Sequence, residues 1–464
     1  MGKVDYSSEK LKLNEKLSYG IGEIPNAMVS VLGAFLTLYY TDYIGMLPGV
    51  LGTMFFISKL LDGVSDLLAG SIIDHTRTKW GKARPWLLWL SVPTGLSLAL
   101  IFFIPANGSS TTKLIYAFLT YNLYNTVLYT MVGCAKNALM ALMTQRKEDR
   151  VSLSKYNTLF GLGCTMIACS ITFPFVNAMG GDITAWRIVF IVYGVITTLS
   201  LLFAFTNSKE KVVSTEQATH ATEKKIGFKE SMKLFFSNKY FVFALFMFLC
   251  IQMAGQLNTV SQNYFYIYSM NRQDLVSVMN IVALVPMVIG LIVLPNFLLK
   301  KVGKKKMLYI GSGTHVITMT LIGIASVLGN VPLIIILTVI KSFAVGATSI
   351  PIGILPADAI DYGEYLSNKR IEGMGNAVIT FAQKVATGLA AGILGWVLQF
   401  TGYVANQAQN TGTVMGINIL FCYAPALLYA IVFICYKLFY HYDEEEPIIL
   451  AELARRKEEG KCAN

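Results

Sequence analysis

From residue 18 to residue 440 the chain is a succession of long apolar runs broken by short polar segments. An α-helix needs about 20 mostly apolar residues to cross the hydrocarbon core of a bilayer, because it rises only about 1.5 Å per residue. Runs of that length predict twelve spans, at about 18–44, 49–73, 85–106, 113–143, 152–178, 185–206, 240–268, 274–299, 306–328, 331–353, 373–402 and 412–440. The fourth span has the least sharp boundary, because many polar residues interrupt it.

Composition agrees with this pattern. Of 464 residues, 54% are hydrophobic and 14% charged, where a soluble domain carries about a quarter charged. The chain therefore reads as an all-α polytopic membrane protein. Seven cysteines occur. Cys134, Cys164, Cys169, Cys250, Cys422 and Cys435 lie within apolar runs, which argues against a disulfide framework and against zinc. The first residues are polar, with no cleavable signal pattern, so the first span is expected to be retained. Thirteen prolines and no Ser/Pro-rich stretch argue against long disordered linkers.

The formal charge of +11 is a topology signal rather than a nucleic-acid signal. One set of loops carries Arg77, Lys79, Lys82 and Arg84, then Arg146, Lys147, Arg150 and Lys155, then seven lysines from Lys209 to Lys239, then Lys300, Lys301, Lys304, Lys305 and Lys306. The opposite set holds only Lys113, Arg187 and Arg272. The positive-inside rule places the basic set, and both termini, in the cytoplasm. The longest internal loop, 207–239, separates a six-helix bundle at 1–206 from another at 240–440, with a tail at 441–464. That layout is similar to the major facilitator fold, two six-helix bundles related by an axis along the membrane normal. Basic Gly-Lys turns at Gly81-Lys82 and Gly303-Lys304 form a faint internal repeat. The tail suits a short solvated helix. No phosphate-binding loop, HExxH or paired metal-ligand spacing is present, so the chain reads as a non-enzyme without cofactors.

The second span carries Lys59, Asp62 and Asp66. Each such group costs about 2.5–3.5 kcal/mol at the centre of a spanning helix. Gaps of three and four put all three on one face. Two converging carboxylates can offer hard oxygens to a small cation or share a proton; a structural ion-pair patch is the alternative. Other polar stripes also keep to single helix faces. The first span has Tyr19, Glu23, Asn26, Ser30 and Thr37, and the fourth Asn122, Asn125, Tyr129 and Lys136. The seventh has Gln252, Gln256, Asn258, Gln262 and Asn263, and the tenth Lys341. The eleventh has Asn376, Thr380, Gln383, Lys384 and Thr387. In lipid such groups must face protein or water. The ionisable ones point to a substrate path, the neutral ones equally to interhelical hydrogen bonding. His315 reads as a packing residue.

Asp62-Gly63-Val64-Ser65-Asp66, with Gly70, Asp74, Thr76, Arg77 and Gly81-Lys82-Ala83-Arg84-Pro85-Trp86, resembles the glycoside–pentoside–hexuronide:cation symporter family of the major facilitator superfamily. So do Asp358-Ala359-Ile360-Asp361-Tyr362-Gly363-Glu364-Tyr365 and Lys369-Arg370-Ile371-Glu372-Gly373, which match the family's cytoplasmic loop between helices 10 and 11. The likeness spans nearly the whole chain. It implies sugar transport coupled to Na⁺, H⁺ or Li⁺ by alternating access. It also implies a cation site at Asp62 and Asp66 (the metal ligands if the cation is Na⁺) with Thr130, and a helix-11 lysine, Lys384, near those acids. Lys59 joins Lys384 as a candidate coupling residue. The loop residues Asp74, Arg77 and Arg84, with Asp361, Glu364 and Arg370, are expected to form inner-gate salt bridges.

The sugar side departs from the family. Ala27 stands where a helix-1 aspartate is usual, Gly133 replaces a helix-4 aspartate, and Asn157 replaces an arginine. Glu23 lies one turn before Ala27 and can substitute. Lys136 and Lys341 are not typical at their positions, so the cavity gains positive charge. The candidate substrate residues are Glu23, Asn26, Asn122, Asn125, Tyr129, Lys136, Lys341 and Gln383. An anionic sugar such as a uronide or sulfonated sugar, met by Lys136 or Lys341, is one expectation; either lysine paired with a neighbouring acid is the other. The expected protein is a monomeric symporter of the bacterial cytoplasmic membrane. Its partners are a sugar, a monovalent cation and lipid, with no nucleic acid. An uncoupled facilitator of a non-sugar solute and a non-transporting receptor are the rivals.

Overall fold

The computed structural model describes residues 10–211, 235–294, 300–367, 372–440 and 442–458. Their ordered structure is helical, with a lone β-bridge between Thr78 and Gly81. The helices are α1 (Leu13–Tyr43), α2 (Pro48–His75), a broken α3 (Arg84–Trp89 and Ser91–Leu100), α4 (Ser110–Met143), α5 (Lys147–Ala178), α6 (Ile183–Asn207), α7 (Lys239–Ser269), α8 (Leu275–Leu294), α9 (Lys300–Val327), α10 (Val331–Ser367), α11 (Glu372–Phe400), α12 (Thr411–Phe439) and α13 (Tyr442–Glu458). Ten of them contain segments long and apolar enough to span a bilayer. α2 falls short because its centre holds three charges, and α3 because Leu90 divides it. Short π-helical turns interrupt α1 (Tyr39–Tyr43), α4 (Leu123–Tyr129), α7 (Phe265–Ser269) and α12 (Ile419–Tyr423).

Two expectations change. The Asp358–Tyr365 motif does not form a loop. It continues α10, whose 37 residues reach about 55 Å at 1.5 Å per residue, well beyond a hydrocarbon core of about 30 Å. Pro351 and Pro356 lie inside that helix without ending it. Nor is α13 solvated all round. Tyr442, Ile449 and Leu453 are buried, and acidic residues at its start meet basic residues of the bundle: Glu446 pairs with Lys304 at 2.9 Å and Glu445 with Lys239 at 3.5 Å. Lys304 also holds Asp358 at 2.7 Å, which accepts a further hydrogen bond from the Tyr440 hydroxyl.

The chain divides into two compact units. The first comprises residues 1–216, 273–280 and 395–409, and the second 217–272, 281–394 and 410–464. Within the first, Phe35, Tyr39, Phe102, Trp186 and Phe190 form a fully buried aromatic core. α3 and α6 cross at Gly95 and Gly194 so closely that a Cβ on Gly95 would lie 2.3 Å from the Gly194 carbonyl oxygen. Small residues bring membrane helices into such contact because packing, not the hydrophobic effect, drives their association. Within the second unit α8 and α10 repeat the device at Gly290 and Gly346, and Tyr240, Tyr436, Tyr440 and Tyr442 build the aromatic core.

Candidate functional site

The π-helical turn Leu123–Tyr129 immediately precedes Thr130. Such turns release a backbone carbonyl from the α pattern and recur at functional sites. Here the Thr130 hydroxyl lies 3.3 Å from the Asn125 carbonyl and 3.0 Å from Asp62 Oδ1. Asp62 Oδ2 accepts from Asn125 Nδ2 and Lys59 Nζ, each at 3.3 Å. Asp62 is only 4% exposed. Asp62, Thr130 and Lys59 meet in one cluster of α2 and α4. Asp66, the other expected cation carboxylate, is half-buried one turn further along the same face of α2.

Asn122 and Asn125, expected to line a sugar path, turn toward α2 instead. Asn125 is fully buried on Asp62. Asn122 donates to Ser58 at 2.8 Å and accepts from Thr126 at 3.0 Å. Asn122 ends the regular α-helical segment and Asn125 lies inside the π-turn, whose wider step breaks the 3.6-residue count that places them on one face with Tyr129. Together the cluster supplies a carboxylate, a hydroxyl, an amide and a backbone carbonyl, the hard-oxygen chemistry suited to a small cation.

A second cluster in the same unit forms where α1 breaks. Glu23 occupies the N-cap position of the segment Ile24–Leu38 at that break, without a side-chain capping bond, and the positive end of a helix dipole favours a carboxylate there. Lys136 pairs with Glu23 Oε2 and donates to Asn157 Oδ1 at 2.8 Å. Its ammonium also sits 4.9 Å from the Tyr19 ring centroid. The other Glu23 oxygen accepts from Asn26 Nδ2 at 2.7 Å, and Asn26 Oδ1 accepts from the Tyr129 hydroxyl at 2.6 Å. Lys136 is thus neutralised by its neighbour, the alternative its position had left open, and Asn157 completes its coordination. Asn26 is exposed, Glu23 and Tyr129 half-buried.

In the second unit Lys341 is 7% exposed. Its ammonium donates to Asn258 Oδ1 at 3.1 Å and lies 5.5 Å from the Phe421 ring centroid. Among the described residues it has no carboxylate partner. Asn258 Nδ2 in turn donates at 3.0 Å to the Phe421 carbonyl, which lies within the π-helical turn of α12. His315, expected to pack, stacks on Tyr429 at 4.2 Å and bonds the Gly311 carbonyl, yet it also lies in the field of Lys341. Gln383 is exposed and Lys384 half-buried on α11.

Of the gate candidates, Arg84 is engaged inside its own unit. Its Nε donates to the Phe205 carbonyl at 2.8 Å and its guanidinium covers the Phe205 ring. Asp74 and Arg77 are exposed, Asp361 half-buried and Glu364 buried. Arg370 lies outside the described residues. The sequence reading missed Glu210. Its carboxylate accepts the backbone amides of Lys82, Ala83 and Arg84 at 2.8–3.0 Å, where Gly81 at φ 113° turns the chain and α3 begins. Exposed helix-start amides bind anions readily. Nothing near Glu210 in sequence signals this, because its partners lie over 120 residues away.

A family model described as MFS/sugar transport protein matches residues 18–444. The isoprimeverose transporter of Lactiplantibacillus pentosus is 29% identical over 449 residues, covering 96% of this chain and 91% of the relative. The glucuronide carrier protein homolog of Escherichia coli is 26% identical over 461 residues, covering 97% of each. The crystal structure of the nucleoside transporter NupG has a TM-score of 0.64 at 15% identity, covering 92% of this chain and 100% of that one, which speaks for the fold alone. Matched across residues 18–444, the chain belongs to the MFS/sugar transport protein family, as a multi-pass membrane sugar transporter.

Proposed function

We propose that this transporter couples uptake of a glycoside to entry of Na⁺ or H⁺ by alternating access in the bacterial cytoplasmic membrane, with both termini inside. The observation that carries the reading is Asp62, buried in α2 and ringed by Thr130, Asn125 and Lys59. A carboxylate kept there at the cost of desolvation makes sense as the seat of a transported cation. Cation and sugar would then favour the same state of the carrier, each raising the other's affinity by the same factor. Lys384 and Asp66 are assigned to the same coupling step. Asp74, Arg77 and Arg84, with Asp361, Glu364 and Arg370, are assigned to the inner gate, and the carrier is taken to act as a monomer.

The substrate assigned to it is an anionic sugar. Lys341 supports this, because a buried ammonium with only a neutral amide partner favours a carboxylate or sulfonate far more than a neutral hydroxyl. The relative described as a glucuronide carrier homolog is consistent with that chemistry, while the isoprimeverose transporter favours a neutral glycoside. Competition decides between them: uronides and sulfonated sugars should inhibit uptake more strongly than neutral glycosides, and the reverse order removes the anionic assignment.

A second reading has its own support. The Lys59–Asp62 pair already compensates the carboxylate, so a cation need not be carried and the protein could be an uncoupled facilitator. Uptake into proteoliposomes with and without Na⁺ or proton gradients separates the two. Asp62→Asn should abolish gradient-driven uptake. Equal uptake by the variant and the parent, or equilibration without concentration, favours the facilitator.

A further inference from the structure

The two clusters of the first unit are joined by one side chain. The sugar-side cluster runs as a hydrogen-bonded line from Lys136 to Glu23, from Glu23 to Asn26 and from Asn26 to the Tyr129 hydroxyl. Tyr129 closes the π-helical turn whose next residue, Thr130, donates to Asp62. Asn26, which holds the phenol hydroxyl, is the exposed member of the line.

We propose that Tyr129 is the positioning residue through which occupancy of the sugar-side cluster is felt at the cation carboxylates. The inference rests on the coupled-symport reading and adds a route to it. A hydroxyl group arriving at Asn26 competes for Oδ1, the atom that now accepts the Tyr129 proton. Once displaced, the phenol no longer anchors the end of the π-helical turn, and the next residue, Thr130, carries that change to Asp62. Cation binding at Asp62 changes with it. Lys136 has a different part. Buried against Glu23, it holds that carboxylate in place beside Asn26, and it does not receive the substrate's acid group.

The test uses the full-length purified protein and the cation alone. Thermal stabilisation is titrated with NaCl against choline chloride at constant ionic strength, and in parallel with pH in choline chloride. Asn26→Leu, which cuts the line without stranding a buried charge, should shift the half-saturating cation concentration by about fivefold, the lower end of typical coupling factors. The same substitution made in a Tyr129→Phe background should shift it less than about twofold, because the link is already absent. Tyr129→Met serves as the second background if the phenylalanine variant does not fold. Equal shifts in both backgrounds, or no shift in either, overturn the role of Tyr129 while leaving cation coupling intact. If neither Na⁺ nor protons stabilise the parent protein, the coupled-symport reading fails, and this inference with it.

Discussion

Replacing Lys59 with methionine removes the ammonium that lies 3.3 Å from Asp62 within the same helix. The two groups are 3.3 Å apart, with side chains 12% and 5% exposed. At an effective dielectric of about 20 their attraction is about 5 kcal/mol before desolvation is counted, and stranding one member of such a buried pair typically costs about 3–5 kcal/mol. Thr130 and Asn125 remain as neutral donors, so the loss should fall toward the lower end, about 3 kcal/mol. The sign for cation binding is opposite. The ammonium competes with any cation for Oδ2, so Lys59→Met should bind Na⁺ or H⁺ more tightly while melting at a lower temperature without it. Saturating cation should then restore most of the deficit, because a ligand at a hundred times its Kd adds about 2.7 kcal/mol. Melting curves of both proteins across a cation titration measure all three quantities. A variant as stable as the parent without cation, or stabilised by cation no more than the parent, refutes the view that lysine and cation share one carboxylate.

Three further outcomes follow from contacts away from that pair. Glu210→Ala leaves the amides of residues 82–84 without their carboxylate, and at about 1–3 kcal/mol for charge-assisted bonds the purified protein should melt several degrees lower; an unchanged melting temperature contradicts the assignment. Gly95→Val drives a side chain into the Gly194 carbonyl 2.3 Å away. Backbone cannot yield as a flexible side chain can, so the expected cost is at least about 1–3 kcal/mol with reduced membrane yield, and normal yield and melting would count against the crossing described. Leu453→Asp places a charge on the buried face of α13 and should release that helix to added protease, whereas unchanged cleavage would show that its docking is not needed.

How far the chain could be read depends on whether a partner was near in sequence. Twelve spans were legible because each is a local run of apolar residues, and Lys59 with Asp62 because a gap of three fixes their common face. Thr130 became legible only through family resemblance, since 68 residues separate it from Asp62. Asn125 was misplaced for a local reason: spacing assumes 3.6 residues per turn, and the π-helical turn breaks that count. The Glu23–Lys136 pair spans 113 residues, and two ionisable residues on separate stripes gave no sign that each is the other's counterion. The length of α10 escaped because an apolar window measures where lipid ends, not where helical hydrogen bonding ends.

The π-helical turn of α4 carries one more consequence. Bonding from i to i+5 accommodates one residue beyond the α-helical count, so Leu123–Tyr129 reads as the trace of a one-residue insertion. Four α-helical residues turn through about 400°, and the wider π-helical turn takes five for nearly the same angle. Deleting a single codon within this stretch would therefore regularise the helix and leave its two flanks in phase, while the residues inside the turn change face. Asn125 lies inside that turn, so its aim at Asp62 depends on the count of residues there as well as on its identity. A change that adds no charge and removes no ligand could thus create or erase one side of the site.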